Sequence, residues 1–95
     1  MTPSDFIFRL HAIRRMFERR IGEADVKRAI QTGDVIENYP EDTPYPSRLI
    51  LGWCESRPLH VVVAENKADK QIIIVTVYEP SLDFWEADFK RRKQK

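Results

Sequence analysis

The first run of helical hydrophobic periodicity lies between His11 and Arg20. Its apolar residues Ile13, Met16 and Phe17 are spaced i, i+3 and i+4, so they fall on one side of a helix. Gly22 follows and breaks the pattern. We therefore predict an amphipathic helix over 11–20 whose apolar side faces the core.

The same periodicity returns between Glu23 and Thr32, where Val26, Ala29 and Ile30 form the stripe. Acidic residues lie at the start of this segment and basic residues lie nearer its end, as the helix dipole favours. Gly33 comes directly after it and is a suitable C-cap. The two segments together predict a helical hairpin.

The middle of the chain alternates with the period of two that is typical of β-strands. The run at 72–78 is apolar on both faces, which indicates a central strand. Tight turns join successive strands, so we expect an antiparallel sheet. The predicted strands are 34–39, 47–55, 59–65 and 71–78, and a weak alternation from Ser4 or Asp5 to Leu10 predicts a further short edge strand.

A closing helix is predicted after the last strand. Pro80 ends the strand, Ser81 can cap a helix, and Leu82, Trp85 and Phe89 fall on one helical face. The expected fold is therefore α+β, with two N-terminal helices, a curled antiparallel sheet of about four strands and a C-terminal helix.

Length and composition indicate one folded domain spanning residues 1–95. Hydrophobic residues make up 42% and charged residues 33% of the chain, which is ordinary globular usage. No apolar run reaches the roughly 20 residues of a membrane span, and the N-terminus does not resemble a secretory signal. We expect a cytoplasmic protein with no membrane partner, and Cys54 as a buried thiol without a disulfide.

The net charge of +1 favours no class of partner, but the distribution of charge is uneven. An acidic segment, 34–42, separates two basic ends. The basic residues at the two ends are Arg9, Arg14, Arg15, Arg19 and Arg20, and Lys90, Arg91, Arg92, Lys93 and Lys95.

Several classes of chemistry are disfavoured by what the chain contains. Its three glycines do not form a nucleotide-binding loop. Two histidines and one cysteine without zinc-site spacing predict no metal and no cofactor. No serine or cysteine follows a strand at a nucleophile elbow, so a hydrolase triad is not expected.

One polar face of the first predicted helix combines His11, Arg15 and Glu18 or Arg19, at spacings of i, i+4, i+7 and i+8. Phosphodiester cleavage needs a group that takes the 2′-hydroxyl proton and fixed positive charge for the developing oxyanion. The alternative is a solvated helix face with ion pairs such as Arg14 to Glu18.

His60 interrupts an apolar strand, so it is either a core histidine with satisfied hydrogen bonds or a site residue. Thr76 and Tyr78 share one face of the last strand. Tyr78 either positions a phosphate there or packs its ring against neighbours while its hydroxyl group stays in contact with water. Trp53, Trp85 and the basic tail could clamp single-stranded RNA, or Trp85 is core and the tail is solvated.

Ordered motifs along nearly the whole chain resemble one bacterial family of unknown function. That family combines His-Ala, Arg-Met, Arg and Ile on an opening helix with a Tyr-Pro-acid loop, Leu-His-Val-Val and Thr-Val-Tyr-x-Pro. The matching segments are HAIRRMFERRI, DVIENYPEDTPYPS, LILGW, RPLHVVV, IIIVTVYEP and FWEADFKRR. Members resemble the RelE/BrnT group of toxins, and similar proteins are encoded beside zinc-finger antitoxins of the MqsA type. The pattern positions are His11, Arg15, Arg19, His60, Thr76 and Tyr78, whereas Arg20 stands where a small residue is more usual.

The resemblance implies a metal-independent endoribonuclease toxin with a RelE/BrnT-like fold. Its substrate is expected to be RNA, including ribosome-bound mRNA, and its partner an antitoxin protein. The site is expected between the first helix and the open sheet face, with His11 and Arg15 as catalytic residues beside His60 and Tyr78. Its RNA-binding residues are expected to be Arg19, Arg48, Thr76, Arg91 and Arg92. The alternatives are a non-catalytic RNA- or protein-binding module and a domain that oligomerises through an edge strand and the Tyr45 loop. A monomer or small homo-oligomer is expected.

Overall fold

The computed structural model describes residues 5–93, so Ser4 and Lys95, which entered the predictions above, lie outside the described residues. Within these residues the chain forms two helices and five strands, which confirms the α+β class and the helical hairpin. The elements in chain order are β1 (Asp5–Phe8), α1 (Leu10–Arg19), α2 (Glu23–Thr32), β2 (Asp34–Tyr39), β3 (Ser47–Cys54), β4 (Arg57–Asn66) and β5 (Gln71–Tyr78).

The strands form one mixed sheet in the order β1-β5-β4-β3-β2. The four strands β2 to β5 pair antiparallel with their neighbours along the chain, whereas β1 pairs parallel with β5. The expectation of a purely antiparallel sheet of about four strands is therefore wrong. A parallel neighbour requires a long crossover, and the helical hairpin supplies it by carrying the chain from one sheet edge to the other.

Both helices pack on the same face of the sheet. Gly52 of β3 faces α2 so closely that a Cβ atom at this position would overlap the side chain of Ala29. The main core cluster contains residues from both helices, their connection and the three central strands, namely Ala12, Ile21, Val26, Ala29, Ile50, Leu59, Val61, Val63, Ile74 and Val77. Burial of this apolar surface is what holds the helices to the sheet.

Helix α1 is rotated relative to the orientation that its hydrophobic pattern predicts. Ala12 is fully buried and Met16 packs against the core, whereas Ile13 and Phe17 are exposed. The prediction that the stripe of Ile13, Met16 and Phe17 faces the core is therefore wrong for two of its three residues. The small Ala12 side chain allows α1 to approach the sheet closely, and that contact decides which side of the helix is buried.

The predicted C-terminal helix is wrong. The segment 81–93 makes one turn at Ser81 and then folds back on itself, with an isolated bridge between Trp85 and Arg92. Asp88 accepts hydrogen bonds from the backbone N–H groups of Lys90 and Arg91, and Phe89 has a left-handed φ of 58°. These local side-chain to backbone bonds compete with helix formation and favour a turn.

The C-terminal segment covers the sheet face that the helices leave open. Trp85 is buried there, against the ring of His60 at a centroid separation of 4.4 Å. Leu49 and Leu51 of β3 are also buried on this second face, because side chains of a strand alternate between its two sides. The sheet is therefore covered on one side by helices and, in part, on the other side by irregular chain.

Candidate functional site

The basic face of α1, which we define as His11, Arg15 and Arg19, lies at the protein surface. All three side chains are exposed, and their spacing places them along one side of the helix. Glu18 lies beside them and pairs with Arg15 at 3.4 Å. The predicted pair of Arg14 and Glu18 is not among the ion pairs of residues 5–93.

Arg57 of β4 holds the C-terminal end of α1, where Arg19 of the basic face lies. Its guanidinium group donates hydrogen bonds to the backbone carbonyl groups of Arg19 and Arg20 and forms an ion pair with Glu79 at 2.5 Å. A cation at a helix C-terminus also interacts favourably with the helix dipole. No local sequence pattern marks Arg57, because its partners Arg19, Arg20 and Glu79 are far away along the chain.

Arg20 ends α1 with a left-handed φ of 55°. Its backbone N–H points at the carbonyl groups of Met16 and Phe17, which closes the last turn of the helix. A residue with a side chain adopts this conformation at a cost, whereas glycine does so freely. The left-handed backbone explains why a small residue suits this position.

His60 is the centre of a polar cluster on the other face of the sheet. The side chain is fully buried, and both ring nitrogens have partners: Nε2 lies 2.8 Å from the carbonyl oxygen of Phe89, and Nδ1 lies 3.2 Å from the hydroxyl oxygen of Tyr78. A carbonyl oxygen only accepts, so Nε2 carries the proton and Nδ1 of the neutral ring accepts from Tyr78. His60 is therefore a core residue whose two ring nitrogens both have hydrogen-bond partners.

Electrostatics keeps this histidine neutral. Burial lowers the pKa of His60 below its ordinary value of 6.5, the hydrogen bond to the Phe89 carbonyl partly opposes this effect, and the charge of Arg92 adds to the lowering. The hydroxyl group of Tyr78 also has a raised pKa, mainly because it is desolvated. Both groups hold their neutral forms near neutral pH.

The structure does not bring the basic face of α1 together with His60 and Tyr78. Leu59 belongs to the core on the helix side of the sheet, and its strand neighbour His60 points to the opposite side. Tyr78 pairs with His60 across the strands and lies on the same side. The expected site between the first helix and the open sheet face would therefore have its two halves on opposite sides of the sheet.

A carboxylate, a phenol and a guanidinium group meet beside the His60 cluster. Glu37 accepts a hydrogen bond of 2.7 Å from the hydroxyl group of Tyr39 and pairs with Arg92 at 3.4 Å. Desolvation, reinforced by Glu37, raises the pKa of Tyr39 to about 12. We call these three residues the Glu37 triplet. The i, i+2 spacing of Glu37 and Tyr39 on one strand was the only sequence signal for it, because Arg92 is distant along the chain.

The other predicted RNA-binding residues occupy separate places. Arg48 pairs with Glu65 at 3.1 Å in a groove of about 520 Å³ at one end of the sheet. Thr76 lies opposite Val62 in the sheet, on the face of Tyr78. Arg91 is exposed and pairs with Asp88 at 3.1 Å. Of the predicted RNA-binding residues, only Arg92 therefore belongs to the Glu37 triplet.

The two tryptophans differ in their surroundings. Trp85 is core, and the guanidinium carbon of Arg92 lies 4.6 Å from its ring centroid. Trp53 is half exposed and makes an edge contact with Phe89 at 6.0 Å. The two tryptophans therefore do not form a pair of stacking platforms for RNA, since Trp53 presents its ring to solvent and Trp85 does not.

Among the described residues, 5–93, no three His, Cys, Asp or Glu side chains converge in a way that could hold a metal ion. Neither helix of this part of the chain has the length and apolar character that a bilayer crossing requires.

Comparison with known proteins places the chain in a family. No curated protein and no solved structure matches it. Residues 8–79 match the family described as "Domain of unknown function (DUF4258)", a match that runs from the end of β1 to the end of β5 and leaves out most of the C-terminal segment. The chain thus belongs to the DUF4258 family of domains of unknown function.

Proposed function

We propose that this domain binds RNA through the basic face of α1. The observation that carries the proposal is the exposure of His11, Arg15 and Arg19 together on one side of a helix whose other side is anchored to the sheet. Guanidinium groups bind phosphate oxygens in a bidentate manner, and an imidazole can donate a further hydrogen bond. A rigid helix with these groups in register fits the backbone of a nucleic acid.

Binding is favoured over cleavage at this face because the expected acid–base partner is absent from it. His60 is buried on the other side of the sheet with both ring nitrogens engaged. Cleavage of a phosphodiester needs groups that accept and donate a proton within hydrogen-bond reach of the substrate. His11 with two arginines supplies affinity for phosphate, but the two guanidinium groups do not exchange protons, so the face offers one imidazole where cleavage needs two proton-transfer groups.

Fluorescence anisotropy with labelled single-stranded RNA at several salt concentrations tests this function. Arg15→Ala and Arg19→Ala should each weaken binding several-fold and reduce the slope of log K against log salt by about 1. Arg28→Ala, which removes an exposed arginine from α2, is the matched control and should change little. RNA binding that is equally weak in all three variants, or no saturable binding by the wild type, would contradict the proposal.

A second candidate function is metal-independent endoribonuclease activity at the Glu37 triplet, in a toxin of a type II toxin–antitoxin system. The observation that favours it is the contact of a carboxylate with a phenol and a guanidinium group at a partly exposed position. Glu37 takes the proton of the 2′-hydroxyl group, whose oxygen attacks phosphorus. Arg92 stabilises the phosphorane oxygens, and Tyr39 protonates the leaving 5′ oxygen, which leaves a 2′,3′-cyclic phosphate.

Incubation with bacterial RNA and with translating ribosomes in EDTA, followed by mapping of new ends, tests this second function. New ends bearing cyclic phosphate should vanish in Glu37→Gln and Arg92→Ala but persist in Asp83→Asn, an exposed carboxylate change elsewhere in the C-terminal segment. Induced expression should likewise arrest growth with the wild type and Asp83→Asn, but not with Glu37→Gln or Arg92→Ala. Intact RNA in both formats would reject the ribonuclease and leave RNA binding at α1 as the function to test.

A further inference from the structure

The fold leaves a stripe of large apolar side chains on α1 uncovered. Leu10, Ile13 and Phe17, which we call the apolar stripe, are 66%, 37% and 83% exposed, and their spacing of i, i+3 and i+7 aligns them along one flank. Beside Ile13 and Phe17 lies a shallow groove of about 370 Å³ whose floor includes Met16 and Ile21. Single exposed apolar residues are common, but three in register beside a groove indicate an interaction surface.

The rim of this groove is basic. Arg20 lines the groove, and Arg14 lies one helical turn from two members of the apolar stripe. Within residues 5–93 neither arginine has an ion-pair partner. Asp25 adjoins the groove at Gly22, where its carboxylate accepts the Gly22 backbone N–H at 3.2 Å, and within residues 5–93 it forms an ion pair with neither arginine. The surface therefore has an apolar centre and, on its rim, two arginines without ion pairs in the described residues.

The positive charges of Arg14 and Arg20 distinguish between the possible ligands of this groove. A second copy of the chain, docked through the same stripe, would place unpaired arginines on both sides of the interface without adding acidic partners, which is electrostatically unfavourable. RNA would leave most of the apolar stripe without apolar partners, and the basic face that suits phosphate lies on another flank of the helix. A protein segment with apolar side chains and acidic neighbours satisfies both the groove and its rim.

We infer that this groove docks an amphipathic helix of a partner protein that carries large apolar residues at i, i+3 and i+7 and Asp or Glu beside them. Ile13 and Phe17 supply the central apolar contacts, and Arg14 and Arg20 pair with the acidic flank. This is the helix-in-groove mode of recognition, in which a few anchors provide most of the affinity and charges select the partner. The inference goes beyond RNA binding and does not depend on it.

Selection from a display library of randomised helical peptides against the full chain tests the inference. Enriched sequences should carry apolar residues at the stated spacing and an excess of Asp and Glu on the flanks. The affinity of a synthetic peptide of the enriched sequence is then measured by fluorescence anisotropy. Enrichment of peptides without acidic flanks, or no enrichment above that of a blank surface, would overturn the proposal.

Matched variants locate the binding. Phe17→Gln should weaken the selected peptide at least tenfold, whereas Phe84→Gln, which changes another largely exposed phenylalanine, should not. Arg14→Glu should weaken it and Arg28→Glu should not. Because all four positions are exposed, circular dichroism should report unchanged folding.

Three outcomes would assign the groove differently. Equal affinity in Phe17→Gln and the wild type would show that the peptide binds elsewhere. Displacement of the peptide by single-stranded RNA, with RNA binding lost in Phe17→Gln, would make RNA the occupant. A dimer in light scattering that dissociates in Phe17→Gln would make a second copy the occupant.

Discussion

His60 accepts a hydrogen bond from Tyr78 across the central strands, with 3.2 Å between Nδ1 and the hydroxyl oxygen. The other ring nitrogen donates to the Phe89 carbonyl oxygen at 2.8 Å. One buried imidazole thus links β4 to β5 and joins both to the irregular C-terminal segment. The polar position in an otherwise apolar strand is explained by these two bonds, because an unpaired buried nitrogen would be costly.

The burial of His60 predicts a pH dependence of stability. Its pKa in the folded protein is below the ordinary 6.5, so at mildly acidic pH the unfolded chain binds a proton that the folded chain does not. The free energy of unfolding should therefore fall as the pH decreases from about 7 to about 5. Urea denaturation at a series of pH values measures it.

His60→Gln is the control for this pH dependence. Glutamine has an amide N–H for the Phe89 carbonyl group but does not titrate, and His11 remains in both proteins. The variant should be less stable at neutral pH and should lose less stability on acidification than the wild type. Parallel pH profiles for the two proteins would show that His60 does not cause the dependence.

The Glu37 triplet predicts an alkaline effect. Tyr39 has a pKa of about 12 in the folded protein against 10.0 ordinarily, so its contribution to stability is complete below pH 10.0 and is lost as the pH rises through about 12. Glu37→Gln removes the neighbouring negative charge and should lower the pKa of Tyr39. Phenolate absorbance, with Tyr39→Phe subtracted, measures both values, and an unchanged pKa in Glu37→Gln would refute the role of the carboxylate.

The close approach of β3 to α2 predicts a large effect of a single methyl group. Gly52→Ala should reduce the free energy of unfolding by about 1–3 kcal/mol, because the added Cβ overlaps Ala29 and the strand is held by its neighbours. Gly22→Ala, at an exposed position, should stay within about 0.5 kcal/mol of the wild type.

A double-mutant cycle attributes this effect to the contact. If Gly52 and Ala29 are in direct contact, then Ala29→Gly should be less harmful in the Gly52→Ala protein than in the wild type. Urea denaturation of all four proteins gives the coupling energy. Additive losses would mean that the methyl group is accommodated without touching α2.

The anchoring of α1 by Arg57 predicts a loss of stability in Arg57→Met. Hydrogen bonds from a charged donor to the Arg19 and Arg20 carbonyl groups are removed, which should cost about 2 kcal/mol. Faster hydrogen exchange at the end of α1 should accompany the loss. Arg28→Met on α2 is the comparison, and equal stability of the two variants would contradict the anchoring role.

Local patterns predicted most elements correctly. The bounds of α2, β2 and β5 follow from hydrophobic period, glycine and proline positions, all of which act within a few residues. The predicted C-terminal helix failed although Leu82, Trp85 and Phe89 have helical spacing. Its outcome depended on Asp88 binding the following backbone and on Trp85 packing against His60. Only the second of these is a long-range contact.

The candidate site could be predicted as separate pieces but not as an arrangement. Spacing on one helix places His11 beside Arg15, and spacing on one strand places Thr76 beside Tyr78. Whether these pairs meet depends on which face of β4 and β5 the helices cover. Helix α1 settles that by burying Ala12 against the sheet, on the side away from His60.

Local sequence patterns are sufficient to predict the α+β class, the helical hairpin and the antiparallel run of four strands, because periodicity and turn residues act locally. The tertiary structure decided the parallel pairing of β1, the rotation of α1 that exposes Phe17, and the separation of the basic face from His60. These features depend on contacts between residues far apart in the chain, where close packing selects among faces that the sequence pattern leaves nearly equivalent.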